Sequence, residues 1–353
     1  MTAPAVTPAS LGAISARVET RLAALFDEEA ARWGALDPSV GELLEGLRRF
    51  VLGGGKRLRP AFCHWGFVGA GGDATRPEVV DAGAAFELLQ AFALVHDDVM
   101  DGSSVRRGAP TAHLVHGDHH EATGWRGEPR RYGEGVAILL GDLAHVYADR
   151  LLPRTHPDAQ RVWDELRTEL NVGQYLDLLG TARGGVDHEA ARRIARYKSG
   201  KYTIERPLHV GAALAGRFDA LGPALSAYGD PLGEAFQLRD DLLGAFGEEV
   251  ATGKPVGDDL REGKPTPLLA LATQAADARQ AEVLARVGRP DLNANDITAI
   301  QLVLHDTGAV AAIEASIEEL RSRAVASLAT SGLTSEAVAE LTALADFVAH
   351  RDG

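Results

Sequence analysis

The sequence LLQAFALVHDDVMD, at residues 88–101, carries the clearest structural pattern in the chain. Apolar side chains recur in it every three or four residues, which is the spacing of one face of an α-helix. The members of this apolar face are Leu88, Phe92, Val95 and Val99. Asp97 and Asp101 fall on the opposite face, about 40° apart at 100° per residue. The pattern therefore predicts a helix that ends with two adjacent carboxylates on its polar side.

The same helical spacing continues along most of the chain, and strand-like alternation is nearly absent. Asp37 and Pro38 are typical of a helix start. Further helices are predicted near residues 11–33, 60–70, 78–101, 135–151, 159–180, 188–217, 220–246, 266–287, 294–305, 308–329 and 335–349. Breaks are predicted at residues 53–55, 69–73, 102–131 and 253–267. We predict a flexible N-terminal tail over residues 1–10 and a single large all-α domain over residues 11–353.

The chain has 353 residues, and its 36 Lys and Arg side chains against 50 Asp and Glu give a formal net charge of −14. This acidic balance argues against nucleic acid as a partner, because phosphate backbones bind surfaces rich in Lys and Arg. Cys63 is the single cysteine, which excludes an intrachain disulfide and suits a cytoplasmic location. We expect no signal peptide and no stable membrane span, because a run of about 18 apolar residues is not found.

A second acidic stretch, FQLRDDLLG at residues 236–244, repeats the arrangement of the first. Gln237 lies one helical turn before Asp241, and Asp240 lies beside that pair. In the first stretch, Asp97 and Asp101 are carboxylates at this spacing, which repel one another unless a cation lies between them, and oxygen ligands are those that Mg²⁺ prefers. The first stretch alone could be a solvated acidic helix end. Two such helices facing each other could hold metal ions, with a substrate diphosphate completing the coordination.

Loops rich in Lys and Arg alternate with these acidic helix ends. The sequence GGGKRLRP at residues 53–60 places three cations behind three glycines, which let the backbone approach an anion closely. It is not a P-loop, because the spacing differs and no strand precedes it. Arg106 and Arg107 follow the first acidic stretch. Further cations lie at Lys198, Lys201, Lys254 and Lys264. The alternation fits a diphosphate that Mg²⁺ chelates and that Lys and Arg clamp.

Taken in order, these motifs resemble the trans-isoprenyl diphosphate synthase (short-chain polyprenyl synthase) family, and within it the geranylgeranyl diphosphate synthases most closely. The resemblance runs through GGGKRLRP, LVHDDVMD followed by RRG, YKSGK, FQLRDD and GKPVGDDLREGK. It implies a helical bundle of the isoprenoid synthase type with a deep central cavity, in a homodimer. It also implies the condensation of an allylic diphosphate with isopentenyl diphosphate, with Mg²⁺ as cofactor and three ions per active site when substrate is bound.

The resemblance assigns roles to individual residues. The implied metal ligands are Asp97 and Asp101 on one wall and Asp240 on the other, with Asp98 and Asp241 in support. The implied ligands of isopentenyl diphosphate are Lys56, Arg59 and Arg107. The implied ligands of the allylic diphosphate are Arg106, Lys198, Ser199, Gln237 and Lys254, and Lys264 is a further substrate ligand. The implied catalytic residues are Asp97, Asp101, Arg106, Lys198 and Asp240.

Four features depart from the family pattern. Gln90 replaces the His that contacts isopentenyl diphosphate in many members, and its amide can still donate. Ser199 replaces Thr but keeps the hydroxyl. Gly244 replaces the last Asp of the second acidic motif, which leaves Asp240 to bind the metal. The segment 117–132 is longer than the minimal loop, and no role is assigned to it.

Product length depends on the floor of the implied cavity, one helical turn below the first acidic stretch. Ala93 leaves room there and Phe92 is aromatic, a combination that resembles synthases of C20 products, so geranylgeranyl diphosphate is the predicted product. A farnesyl diphosphate synthase, a class I terpene cyclase and a non-catalytic synthase subunit remain alternatives. Lys56 and Arg59 argue against a cyclase, which binds no second diphosphate, and the retained acidic motifs argue against an inactive subunit.

Histidines form a further group in the predicted break that follows the first acidic stretch. Its members are His113, His116, His119 and His120. No cysteine accompanies them, so we predict a solvated loop there and not a zinc site. His96, next to Asp97, is predicted to be structural and not a catalytic base.

Overall fold

The structure is a computed structural model, and it describes residues 7–154, 156–183, 188–247 and 256–351. Most of these residues are helical, which confirms the predicted all-α class. The helices are α1 (Ala9–Gly34), α2 (Pro38–Leu52), α3 (Leu58–Gly69), α4 (Pro77–Asp101), α5 (Ala112–Thr123) and α6 (Pro129–Leu151). They are followed by α7 (Pro157–Arg183), α8 (His188–Ala195), a π-helical segment (Arg196–Glu205), α9 (Arg206–Leu214) and α10 (Phe218–Phe246). The remaining helical segments are Asp258–Glu262, Pro267–Ala275, Ala278–Leu284, Ala294–Asp306, Ala309–Ser327, the 3₁₀ turn Leu328–Thr330 and Ser335–His350.

A short hairpin separates α4 from α5. Its two strands, Val105–Arg106 and Ala109–Pro110, pair antiparallel. The turn residues Arg107 and Gly108 have φ values of 53° and 73°, and positive φ at both positions is what a two-residue hairpin turn of this kind requires. The hairpin therefore fixes the conformation of both arginines that follow the acidic end of α4.

One compact unit contains residues 9–160 and 207–218. Its centre is α4, which packs against α1, α3 and α6. Side chains of α4 such as Phe86, Leu88 and Leu89 are fully buried, and each contributes about 1.5–3 kcal/mol of hydrophobic stabilisation. The acidic end of α4 thus stands on a tightly packed helix.

The other compact unit contains residues 1–8, 161–206 and 219–353. It contains α10, in which Tyr228 is fully buried. The Tyr228 hydroxyl donates to the Leu341 carbonyl at 2.7 Å, which ties α10 to the last helix of the chain. The second acidic stretch is thereby fixed to the packed interior of this unit.

The π-helical segment Arg196–Glu205 crosses α10 at very short range within the same unit. A Cβ at Gly233 would lie only 2.6 Å from the Gly200 carbonyl oxygen, so this crossing requires glycine. The segment carries Lys198 and Ser199. Widened helical turns are frequent at functional sites, because they redirect side chains that a regular helix would align.

Several predicted boundaries need correction. α1 begins at Ala9, inside the predicted tail of residues 1–10. The predicted break at residues 102–131 contains the whole of α5, because its sequence is polar but supplies a buried helical face. The predicted helix 188–217 is divided by the π-helical segment and ends at Leu214. The single domain and the central cavity stay predictions.

One helix in the described ranges, α4, is long and apolar enough to cross a membrane by length and composition. The helix is not a continuous apolar run, because Asp81, Glu87 and Gln90 lie along it, so the sequence expectation of no stable membrane span is not contradicted. Within its most apolar window 61% is buried inside the protein, and the core helix of a globular domain passes the same test. The finding is therefore weak support for a membrane span, and the buried side chains described above already account for the apolar character of α4.

Candidate active site

The acidic end of α4 is held by an arginine of the hairpin that follows it. Arg106 Nε donates to Asp98 Oδ1 at 2.7 Å, and Arg106 Nη2 lies 3.4 Å from Asp97 Oδ2. The Asp98 side chain is only 1% exposed, so the guanidinium compensates a carboxylate that has lost its water. Asp101 lies one helical turn beyond Asp97. The structure thus brings together the residues that the sequence singled out here.

Four guanidinium groups gather in the same unit. Burial lowers the pKa of Arg107; the carboxylate of Glu87 opposes this shift, and the positive charges of Arg57, Arg106 and Arg59 add to it. Guanidinium groups that are close enough to shift a pKa repel one another, and an anion bound among them reduces this repulsion. Arg57 and Arg59 of the glycine-rich loop therefore lie close enough to Arg106 and Arg107 to interact electrostatically, and anion binding by this loop stays a prediction.

Arg57 anchors the glycine-rich loop, a role that the sequence did not indicate. Its side chain is 1% exposed; it forms ion pairs with Glu87 and, at 3.1 Å, with Glu19. Its φ of 49° lies in the left-handed region, immediately before α3 begins. The sequence shows three equivalent cations, and only the tertiary partner 30 residues away separates Arg57 from Lys56 and Arg59.

The face of α4 below its acidic end carries an aromatic cluster. The Phe92 ring stacks on His145 of α6 with centroids 4.7 Å apart and meets His96 edge-on at 4.8 Å. His96 Nε2 lies 2.9 Å from the Ile138 carbonyl oxygen, in agreement with its predicted structural role. Two other predicted residues of α4 are half-buried, namely Gln90 and Ala93. His145 is an addition to the predicted set.

The histidine-rich segment is a helix, so the predicted solvated loop is wrong. α5 carries all four histidines, and it packs along α6. His113 and His120 are buried, and His120 contacts the rings of Trp125 and Tyr132. These contacts explain the long segment 117–132 as a packed corner between two helices.

Lys198 is held by a carboxylate of α7 in the other unit. Lys198 Nζ lies 2.5 Å from Asp177 Oδ2. Glu169 of the same helix pairs with two cations. Lys201 Nζ lies 2.6 Å from Glu169 Oε1, and Arg206 Nε donates to Glu169 Oε2 at 2.7 Å. Burial would raise the pKa of Glu169, but the hydrogen bonds from Arg206 and Lys201 outweigh it and the pKa is lowered. Neither carboxylate was predicted, because both are ordinary polar positions in the sequence of α7.

Gln237 and Asp241 make the contact that their spacing predicted. Gln237 Nε2 donates to Asp241 Oδ1 at 2.8 Å. Burial raises the pKa of Asp241 well above its usual value; the hydrogen bond from Gln237 lowers it, and the charges of Asp259 and Asp240 raise it further. Asp241 Oδ2 is buried and accepts no hydrogen bond from any group that the structure describes.

Asp240 pairs with a residue from the far end of the chain. Arg351 Nη2 donates to Asp240 Oδ1 at 2.5 Å across 111 residues, and to the Phe236 carbonyl at 3.1 Å. Its guanidinium also lies over the Phe236 ring, 4.1 Å from the centroid. The Arg351 side chain is 3% exposed and that of Asp240 is 41% exposed. Sequence reasoning missed Arg351, because nothing around it distinguishes it from a surface arginine.

The last basic motif is described in part. Lys264 Nζ lies 2.6 Å from Glu262 and 3.7 Å from Asp259. Lys264, Asp259 and Asp241 line one small cavity. Lys254, the other predicted cation of this motif, lies outside the described residues.

The polyprenyl synthetase family model matches residues 41–303. The chain belongs to the polyprenyl synthetase family. The geranylfarnesyl diphosphate synthase of Aeropyrum pernix is 33% identical to it over 269 residues, which cover 74% of this chain and 78% of that protein. The geranylgeranyl diphosphate synthase of Mycobacterium tuberculosis is 35% identical over 230 residues, which cover 64% of this chain and 60% of that protein.

The fold of this polyprenyl synthetase is similar to a solved structure of a relative. That structure is the geranylgeranyl pyrophosphate synthase from Corynebacterium glutamicum complexed with isoprenyl diphosphate and magnesium. The TM-score is 0.92 and the identity 39%, over 97% of this chain and 99% of that one. Together with the family match, this confirms the resemblance stated from the motifs and the enzyme class, a prenyltransferase.

The residues of this polyprenyl synthetase fit a divalent metal ion. Its two acidic motifs offer carboxylate oxygens, the ligand type that Mg²⁺ prefers. The buried Asp241 Oδ2, which no described group satisfies, is a position where a cation would repay the cost of burial. Metal dependence is thus consistent with the side chains on both α4 and α10.

Proposed function

We propose that this enzyme condenses isopentenyl diphosphate with an allylic diphosphate and releases geranylgeranyl diphosphate. The observation that carries the proposal is the group of four guanidiniums beside the acidic end of α4, reflected in the lowered pKa of Arg107. An enzyme that handles one diphosphate needs one cationic site. Arg106 pairs with the carboxylates of α4, and Arg59 and Arg107 add cations beyond that pair, which supports a second diphosphate substrate and disfavours a terpene cyclase.

The proposed metal ligands are Asp97 and Asp101 of α4 and Asp240 of α10, with Asp98 and Asp241 in support. We propose three Mg²⁺ ions per active site when substrate is bound. Bound Mg²⁺ supplies positive charge that neutralises the diphosphate and favours its departure. Arg106 orients the carboxylates of α4, and Arg351 orients Asp240.

The proposed substrate ligands divide into two sets. Isopentenyl diphosphate is bound by Lys56, Arg59 and Arg107, with Gln90 donating from α4. The allylic diphosphate is bound by Arg106, Lys198, Ser199, Gln237, Lys254 and Lys264. Arg suits the bidentate recognition of phosphate oxygens, and Lys supplies a point charge. Arg57 keeps the glycine-rich loop in shape for this binding.

In the proposed reaction the allylic carbon–oxygen bond breaks and the diphosphate leaves with the bonding electrons. The double bond of isopentenyl diphosphate, positioned by its cations, then attacks the allylic carbon. A proton leaves the neighbouring carbon and restores the double bond, with the released diphosphate as base. Aromatic and aliphatic walls exclude water that would otherwise trap the allylic cation.

Product length is proposed to depend on Phe92 and Ala93. The Phe92 ring is held by contacts with the rings of His96 and His145, so it is in a fixed position from which it could limit the length of the prenyl chain. The small side chain of Ala93 leaves space for that chain. A geranylgeranyl product agrees with the name of several relatives, while a farnesyl product is the alternative. A homodimer in the cytoplasm completes the proposal.

The test is an incubation of the purified enzyme with labelled isopentenyl diphosphate, Mg²⁺ and, in separate reactions, dimethylallyl, geranyl or farnesyl diphosphate. Chromatography of the dephosphorylated products is expected to give geranylgeraniol from each starter. A product that stops at farnesol would select the alternative. A cyclic hydrocarbon, or no product with any starter, would contradict chain elongation.

A further inference from the structure

Gly141 lies in the middle of α6, where glycine is less favourable than alanine because its backbone loses more freedom on folding. The position is buried. A Cβ at Gly141 would lie 2.3 Å from both Cδ2 and Nε2 of His96 on α4. These distances are far inside van der Waals contact, so the His96 ring occupies the space that a side chain at position 141 would need.

The His96 ring also contacts the main chain of α6. Its Nε2 atom lies 2.9 Å from the Ile138 carbonyl oxygen, within hydrogen-bond distance and one turn before Gly141. The Asp142 carboxylate is further away, at 3.9 Å from the same nitrogen, and is mostly exposed. His96 therefore packs against one turn of α6 through a steric fit and a polar contact to the backbone.

On α4 the same ring meets the side chain that is proposed to limit the product. Phe92 lies one helical turn before His96, and the two rings meet edge-on with centroids 4.8 Å apart. The His145 ring stacks on Phe92 at 4.7 Å. Edge-on and stacked contacts both favour particular ring orientations. Because His96 can take its position only when residue 141 has no side chain, Gly141 controls the edge-on contact.

We propose that Gly141 and His96 are positioning residues that determine product length. The missing side chain at position 141 lets the His96 ring lie against α6, and from there His96 holds Phe92 in the orientation that stops the chain at geranylgeranyl diphosphate. The inference rests on the proposed function, because it takes Phe92 as the residue that limits the prenyl chain. It adds a position on α6 that acts on product length through another side chain.

The test displaces the His96 ring from α6. Gly141→Ala places a methyl group where the ring lies, so the ring has to rotate away and loses its contact with Phe92. With farnesyl diphosphate as starter, labelled isopentenyl diphosphate and Mg²⁺, the ratio of longer products to geranylgeranyl diphosphate is expected to rise about threefold, the effect of losing one edge-on ring contact. His96→Ala removes the same contact and leaves α6 unchanged, so it should raise the ratio by a similar factor. Chromatography of the dephosphorylated products at equal conversion measures this ratio, which does not depend on the folded fraction of a variant.

Gly135→Ala is the matched control, because Gly135 lies on the same helix, is exposed, and a Cβ there would meet no atom within 4 Å. It should leave the product ratio at the wild-type value. The decisive comparison is the double variant His96→Ala with Gly141→Ala, in which the new methyl group has no ring to displace. Its product ratio should equal that of His96→Ala alone.

The proposal is overturned if Gly141→Ala gives the wild-type product ratio, or if it changes the ratio by the same factor with and without the His96 ring. If Gly141→Ala does not fold, His96→Ala decides, and a wild-type ratio in that variant overturns the proposal. Phe92→Ala separates this inference from the proposed function. An unchanged chain length in Phe92→Ala would overturn both, whereas a longer product in Phe92→Ala beside wild-type ratios in Gly141→Ala and His96→Ala would contradict the positioning role alone.

Discussion

The two acidic motifs carry nearly the same residues but are completed in opposite ways. On α4 the partner cation is Arg106, which reaches Asp98 from only eight residues away through a tight hairpin. On α10 the partner cation of Asp240 is Arg351, 111 residues away. The space beside Gly244 of α10 is occupied by the side chain of Asp259, from a separate segment. The first motif is therefore a local structure, and the second is assembled by tertiary packing.

Because of this difference, we expect substitutions in the two motifs to affect activity and stability to different extents. The local motif depends on one helix end and one turn, so a substitution there should affect chemistry more than global stability. The assembled motif depends on the last helix and on the segment after α10, so a substitution in its partners should affect stability as well. Substitutions of equivalent carboxylates, one in each motif, test this contrast most directly.

The largest effect is expected for the principal carboxylates. Asp97→Ala and Asp240→Ala should each reduce kcat by at least about 10²-fold, because each removes charge that stabilises the departing diphosphate. The measurement is steady-state turnover with farnesyl diphosphate, with circular dichroism to verify folding. Near-normal turnover in either variant would remove that residue from the mechanism, and a large effect in one alone would restrict the metal site to one motif.

The next effect is expected for the two buried supporting carboxylates. Asp98→Asn should raise the KM for the allylic diphosphate about tenfold, because Arg106 loses its charged anchor. Asp241→Asn should instead shift the Mg²⁺ concentration that gives half-maximal activity upward about tenfold, because Asn cannot supply the unsatisfied anionic oxygen. The measurements are the KM of both variants for the allylic diphosphate and a Mg²⁺ titration of both at saturating substrate. Equal shifts of the Mg²⁺ midpoint in the two variants would contradict the expected difference between the two motifs.

The same contrast explains what could be predicted from sequence. Helical periodicity predicted the all-α fold and placed both acidic stretches on helices, because periodicity and i, i+4 spacing are local properties. It also predicted the contact between Gln237 and Asp241, which the structure confirms. Arg106 could be singled out for the same reason, because it lies only eight residues after Asp98, with which it pairs.

The remaining site residues could not be predicted, because their partners are distant in sequence. Arg351 and Asp259 meet α10 only after the helices of their unit have packed. Arg57 is one of three adjacent cations, and only its contact with Glu87 identifies it as an anchor. The histidines of α5 misled the prediction, because a polar composition conceals the face that packs on α6.

A smaller effect is expected for Arg351. Arg351→Gln should lower the free energy of unfolding by about 2 kcal/mol, because it removes hydrogen bonds to Asp240 and to the carbonyls of Phe236 and Val348. Asp240 is partly exposed, so water limits the cost. The matched control is Arg321→Gln, which breaks ion pairs on the surface of the same helical region and should cost less than about 1 kcal/mol. Denaturant melts measure both, and equal losses would contradict an assembled second motif.

The smallest effect on rate is expected for the aromatic cluster of α4, where the readout is product length. Phe92→Ala should lengthen the product by opening the floor below the acidic end. His145→Ala should shift the distribution in the same direction but less, because the Phe92 ring keeps its own volume and loses only its stacking partner. His145→Phe restores a stacked ring and is the matched control. Turnover should stay within about threefold of the wild-type value for all three variants, because none of these side chains carries charge to the diphosphate.

The measurement is chromatography of the products that each variant forms with farnesyl diphosphate as starter. An unchanged chain length in Phe92→Ala would show that this face of α4 is no floor, and an unchanged length in His145→Ala alone would show that Phe92 holds its position without support from α6.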